Sequence, residues 1–203
     1  MDDSNTMYHG GSRDLQDRFD TRRLADRLED RIVTDTISAD AKGFIESLDC
    51  FFLATADEAG RPNCSYKGGD PGIVRVVDDH TVAFPCYDGN GMFLSMGNVL
   101  VNPEVGMLFI DFERANRMRL NGTATITEGD PLLNDFKGAQ FVVRVRVREL
   151  FPNCPRYIHR RTLVARSEFV PRDGCETPVP DWKRSSLARD VLPEGDPAAS
   201  STS

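Results

Sequence analysis

Apolar residues first recur at Leu15, Phe19, Leu24, Leu28 and Ile32, with charged residues filling the other positions of "SRDLQDRFDTRRLADRLEDR". Spacings of three to five predict one amphipathic helix or two short ones over 12–31. The stripe is thin, so this segment is expected to lie across a core or a partner subunit rather than form a core itself. A second helix is better marked. Ser38 is a candidate N-cap, Asp40 suits the positive helix start, and Phe44, Ile45 and Leu48 share one face.

From Cys50 the period changes. "CFFLATA" (50–56) and "NCSYKG" (63–68) are strand-forming runs joined by the turn-rich "DEAGRP". "GIVRVVD" (72–78) and "HTVAFPCY" (80–87) follow, split at Asp78-Asp79. Residues 91–102 return to helical spacing through Met92, Phe93, Met96, Val99 and Leu100, and stop before Pro103. Three further strands are expected at 104–112, 117–127 and 140–150. In the last, Val142 or Val143, Val145 and Val147 alternate with Arg144, Arg146 and Arg148, the pattern of a strand with one wet face. Many strands, short turns and one inserted helix predict a mainly β, α+β fold with a closed or half-closed barrel. The expected division is an N-terminal helical arm (1–35), a barrel domain (36–171) and a Pro/Ser-rich tail (172–203) whose end is disordered. No internal repeat is visible.

Composition narrows the function classes. The 203 residues are 39% hydrophobic and 28% charged, with a formal charge of −7. That balance fits a globular chain and opposes nonspecific binding to nucleic acid or anionic membranes. No apolar run approaches the roughly 18 residues of a spanning helix, and the first residues do not read as a secretory signal. Five cysteines without a C-x-x-C pair, and three scattered histidines (His9, His80, His159), argue against a zinc site. Free thiols fit a reducing cytoplasm, the expected location. Basic residues cluster in "RVRVRE" (144–149) and "RYIHRR" (156–161), suited to a small anion.

Four segments, "FFLATADEAGRP", "SYKGGDPGIVRV", "GNGMFLSMGNVLVNPEVGMLF" and "RMRLNGTATI", together resemble the pyridoxamine 5′-phosphate oxidase-like, FMN-binding split-barrel family. The likeness runs from about Arg13 to Arg161, and is nearer to members with an S-x-K-G…P-G loop than to the vitamin-making oxidase. It implies a split β-barrel, a homodimer with FMN in clefts between the subunits, and a small-molecule substrate. Cofactor contacts are then expected from Ser65, Tyr66, Lys67 and Gly68 on the second strand. Asn90, Ser95 and Asn98 in or beside the inserted helix, and Arg117 and Arg119 on the strand after the NP junction, complete the set.

Each residue also has a structural reading. Lys67 can pair with phosphate or with the flavin's pyrimidine edge, or be a solvated lysine in a glycine loop. Asn90 can bond phosphate or cap the helix. Arg117 and Arg119 share a strand face and need an anion, either a ligand or Asp111 or Glu113. Cys154 lies either near the flavin or is an ordinary free thiol. The family's early-helix cation is missing, since Met92, Phe93 and Leu94 stand there, and the oxidase's terminal Arg/His/Trp motif is not reproduced. The function expected is therefore an FMN-dependent oxidoreductase acting on a substrate other than pyridoxamine phosphate. Alternatives are a noncatalytic flavin-binding or flavin-sequestering protein and a reductase using the deazaflavin F420. Haem handling, which some relatives perform, would have only the three histidines as axial ligands.

Overall fold

The computed structural model describes residues 6–199. The last residues of the tail, expected to be disordered, lie in part outside the described residues. The chain divides between Leu163 and Val164 into two compact units. The first carries helices α1 (Gly10–Arg18), α2 (Arg22–Ile32) and α3 (Ala39–Ser47), then strands β1 (Cys50–Ala56), β2 (Pro62–Gly68), β3 (Arg75–Asp78) and β4 (Thr81–Tyr87). Helix α4 (Leu94–Val101) and strands β5 (Glu104–Asp111), β6 (Asn116–Thr127) and β7 (Ala139–Pro152) complete it. The second unit carries the short helix α5 (Asp181–Arg184). There Lys183 Nζ meets Asp196 Oδ2 at 2.7 Å, both side chains buried.

The seven strands form one antiparallel sheet in the order β2-β1-β5-β6-β7-β4-β3, so β2 and β3 are its edges. This is the expected α+β architecture of a split barrel. Alternation sets its inner face: Phe51, Leu53 and Thr55 of β1, Val105, Met107 and Phe109 of β5, and Val143, Val145 and Val147 of β7 are all buried. Phe51 sits edge-on to Phe84 of β4 at 5.0 Å and 5.9 Å from Phe109. Helix α4 crosses this face against β1, β2 and β6. Helix α3 starts on Ser38, whose Oγ accepts from Ala41 N at 3.2 Å, and buries Ala41 and Ile45.

The wet face expected of β7 is only partly wet. Val143 points inward, whereas Val142 points outward and is buried with Ala83 and Phe136 beneath a 3₁₀ turn, Pro131–Asp135. That turn is pinned by buried Asp130, which accepts from Arg144 Nε at 2.5 Å and Nη2 at 2.9 Å. The Arg144 guanidinium holds the Asp130 carboxyl below the usual carboxylate range.

Gly122, in the "RLNGTA" run, has a tertiary reason. The ladder slips between Asn121 and Gly122, and a Cβ there would meet the Arg146 carbonyl oxygen at 2.1 Å.

The arm is two helices, as the spacing allowed. It reaches the sheet through Thr34, whose N–H donates to Leu150 O at 3.0 Å and whose carbonyl accepts from Leu150 N at 2.6 Å.

Candidate functional site

The β2 alternation places Asn63, Ser65 and Lys67 on the inner face, opposite Thr55, Leu53 and Phe51 of β1. Cys64, Tyr66 and Gly68 take the outer face. Ser65 Oγ lies 3.0 Å from Ser95 Oγ, and Ser95 Oγ donates to Asn63 Oδ1 at 3.4 Å. Ser95 has a single proton to give, so Ser65 is the donor in the shorter contact. Asn63 belongs to this chain of bonds and was missed by sequence reasoning; its period-two relation to Ser65 was the available signal.

Helix α4 begins unusually. Its N-cap is Phe93 in the left-handed region, at φ 48°, with no side-chain cap bond. An aromatic residue there is strained by roughly 1–2 kcal/mol. The Phe93 ring stacks on Phe141 with centroids 6.4 Å apart. With no carboxamide or hydroxyl bonded across it, the first turn keeps its N–H donors and positive potential available to an anion. Asn90 does not reach this turn, because its Oδ1 accepts from Met92 N at 3.0 Å within its own loop. Asn98 is tied to the core: its Nδ2 donates to Thr55 Oγ1 at 3.0 Å. The structural readings of Asn90 and Asn98 therefore have direct partners.

Lys67 shares this face. Its charge bears on Cys86 of β4, whose thiol is pushed up by burial and drawn partly back by the lysine. Ser65 and Ser95 thus meet at the open end of α4, and Lys67 projects from the same face of β2 two residues beyond Ser65, a set of hydroxyl, peptide N–H and ammonium donors that suits a phosphate.

The remaining candidates stand on the other face. Register runs Tyr66–Phe52–Leu108–Arg119 across β2, β1, β5 and β6, and Arg117 lies opposite Ile110 in the same sense. Tyr66 packs edge-on to Phe52 at 5.8 Å. Burial, and then the Cys50 thiol, push the Tyr66 phenol up to about 12. The ring crosses Gly68 so closely that a Cβ there would sit 2.7 Å from Tyr66 Cε1. Arg119 is exposed. Arg117 Nε is buried without a hydrogen-bond partner, an orphaned donor of the kind that needs an acceptor. Asp111 turns instead to Arg114, 3.8 Å away, and its Oδ1 accepts from the backbone of Glu113 and Arg114.

Beside Arg117, exposed Cys154 accepts from Arg156 Nε at 3.2 Å. The Arg156 backbone and side-chain donors, with Arg117 at longer range, hold its thiol below the ordinary cysteine range. Around it the chain turns, with Ile158 N donating to Pro155 O. His80 Nδ1 is 2.8 Å from the Asp35 carbonyl. Among the described residues no group of three His, Cys, Asp or Glu side chains is placed to hold a metal ion. No helix among them is long and apolar enough to cross a membrane.

The chain is similar to HupZ of Group A Streptococcus, with 26% identity over 57% of this chain and 93% of that one, at a TM-score of 0.46. It is also similar to HutZ, the heme storage protein from Vibrio cholerae (20%, 59% and 92%, TM-score 0.38). A third likeness is to an FMN-binding protein from Syntrophomonas wolfei (10%, 71% and 98%, TM-score 0.43). No curated protein sequence matches. The family model for pyridoxamine 5′-phosphate oxidase matches residues 37–166, from just before α3 through the last strand and the Cys154 turn, and the chain belongs to that family.

Proposed function

We propose that this protein binds FMN as a homodimer and acts as an oxidoreductase on a small molecule that enters the subunit cleft. The observation that carries this reading is the uncapped start of α4, with Ser65 and Ser95 beside it and Lys67 on the same face of β2. A dianionic phosphate is the ligand group that uses all of these donors at once. On its arrival Ser65 would redirect the proton it now gives to Ser95.

The dimer is supported by the two faces of the sheet. Ser65 and Lys67 occupy the inner side of β2, while Arg117 and Arg119 project from the outer side of β6. One flavin can be touched by both sets only if a second chain supplies one of them. The orphaned Arg117 Nε is then a donor awaiting the flavin's polar edge or ribityl oxygens. Bound FMN supplies hydride chemistry; the protein's part is to hold the phosphate, orient the ring and set the charge at its edge. Lys67 and Arg117 are the cations suited to that last role. The five free cysteines support a reducing, cytoplasmic setting.

Absorbance of the isolated protein and FMN titration test the reading. Lys67→Ala is expected to weaken FMN by about 1.5–3 kcal/mol, the worth of a charge-assisted hydrogen bond, and Arg119→Ala by a similar amount if it reaches the ligand. Bleaching of the bound flavin by a reduced nicotinamide supports an enzyme. Tight binding without reduction supports a flavin-sequestering protein, and preference for F420 in the same titration supports a deazaflavin reductase. A protein that takes up neither flavin removes the proposal.

A further inference from the structure

The arm is assembled inside out. Its packing is polar: Arg13 Nη1 of α1 meets Asp26 of α2 at 2.5 Å, and the segment before α1 is tied to α2 by Met7 N and Thr6 Oγ1 donating to Glu29 and Tyr8 OH donating to Ala25 O. Neither helix buries a residue. Leu15, Phe19, Leu24 and Leu28 are instead 42–68% exposed. A second exposed apolar face belongs to α4, which turns Ser95, Met96 and Val99 inward and leaves Leu94, Leu100 and Val101 53–75% exposed. In a chain that is 28% charged, α4 carries no charged residue. Charge depletion on an exposed helix is the mark of an interface centre rather than of a wetted surface.

From this we infer that the arm of one subunit docks its Leu/Phe stripe on the exposed α4 face of a second copy of the chain. The inference rests on the dimer reading above and adds to it a named pair of surfaces. Area favours it. Side chains of roughly 150–250 Å² for an aromatic and somewhat less for leucine, at these exposures, offer about 400 Å² per arm. Two arms and two receiving faces then bury roughly 1,600 Å², the usual size of a stable interface. Charge separates a protein partner from a membrane. The arm from Gly10 to Ile32 carries six arginines (13, 18, 22, 23, 27 and 31) and six acidic residues (14, 17, 20, 26, 29 and 30), and so has no net charge to draw it to an anionic bilayer. Docking there would also set the arm beside the open end of α4, so the partner would help wall the phosphate site.

Sedimentation equilibrium of the full chain tests this. Phe19→Asp with Leu24→Asp is expected to raise the dimer dissociation constant at least about 100-fold, since each change acts twice in a two-fold dimer. Leu100→Asp should do the same. All three positions are exposed, so circular dichroism should match the parent. If the surfaces face each other, combining the substitutions costs far less than the product of the separate effects. A full product overturns the pairing, and so does a dimer constant that arm substitutions leave unmoved. Arm-dependent co-sedimentation with phosphatidylserine vesicles, with the dimer intact, overturns it in favour of a membrane. A parent chain that stays monomeric at every concentration overturns the dimer reading itself, an outcome distinct from an arm-insensitive dimer.

Discussion

Replacing Asp130 by asparagine removes one charge from the pair that pins the 3₁₀ turn to β7 and keeps the side chain's shape. Asp130 is 3% exposed, holds Arg144 through two bonds of 2.5 and 2.9 Å, and accepts from Leu132 N at 2.9 Å. In Asp130→Asn the new amide oxygen still accepts from Leu132, so the loss falls on the charge-assisted pair. Breaking a fully buried pair costs about 3–5 kcal/mol. The Arg144 side chain keeps 29% of its surface in water, so part of its charge is resolvated and about 2 kcal/mol is expected. For a chain of this size that lowers the midpoint of thermal unfolding by about 4–8 °C. The pH dependence supplies the control. Because the folded Asp130 carboxyl titrates below its unfolded value of about 3.9, its contribution is complete above about pH 5. It is lost as the pH falls through the depressed folded value, so the gap between parent and variant should close in acid. A neutral-pH gap under about 0.5 kcal/mol, or one that widens on acidification, would refute the reasoning.

Other outcomes follow from the same geometry. Gly122→Ala must separate β6 from β7, since its Cβ would lie 2.1 Å from the Arg146 carbonyl; urea unfolding should show a loss of about 3 kcal/mol or more. An undiminished midpoint would mean that the strands part there without cost. Cys154 should be alkylated by iodoacetamide at lower pH than a model thiol, read by mass spectrometry of the peptide that carries it; Arg156→Ala should move that profile back up. Cys50 and Cys86, whose thiols burial pushes up, should react later, and equal rates at all three would contradict the assigned surroundings. Ser95→Ala should weaken FMN roughly 10- to 150-fold while leaving the fold intact, because a hydroxyl bond to an ionised phosphate, worth about 1.5–3 kcal/mol, is removed along with the contacts to Ser65 and Asn63; titration of the variant checks it.

How far the sequence speaks is clearest residue by residue. Ser38 was readable as a cap because an N-cap bond spans three residues. The shared face of Ser65 and Lys67 was readable because strands alternate with period two. All seven strands were legible from the same local rule and from the turns between them. Asn90 and Asn98 were not separable from ligand contacts, since an amide's partner depends on which loop or strand lies within hydrogen-bond reach. The covered start of β7 was hidden for a like reason: Val142 is buried by a 3₁₀ turn, and Arg144 is paired by Asp130, 14 positions earlier in the chain.

By itself, then, the sequence determined the elements, their apolar faces and the family, because these depend on neighbours within a few residues. Only the tertiary structure decided that Ser65 meets Ser95, that Lys67 and Arg119 stand on opposite sides of one sheet, and that Gly122 must lack a side chain. Those facts depend on strand order and register, which long-range pairing of β1 with β5 and of β4 with β7 sets and no local spacing encodes.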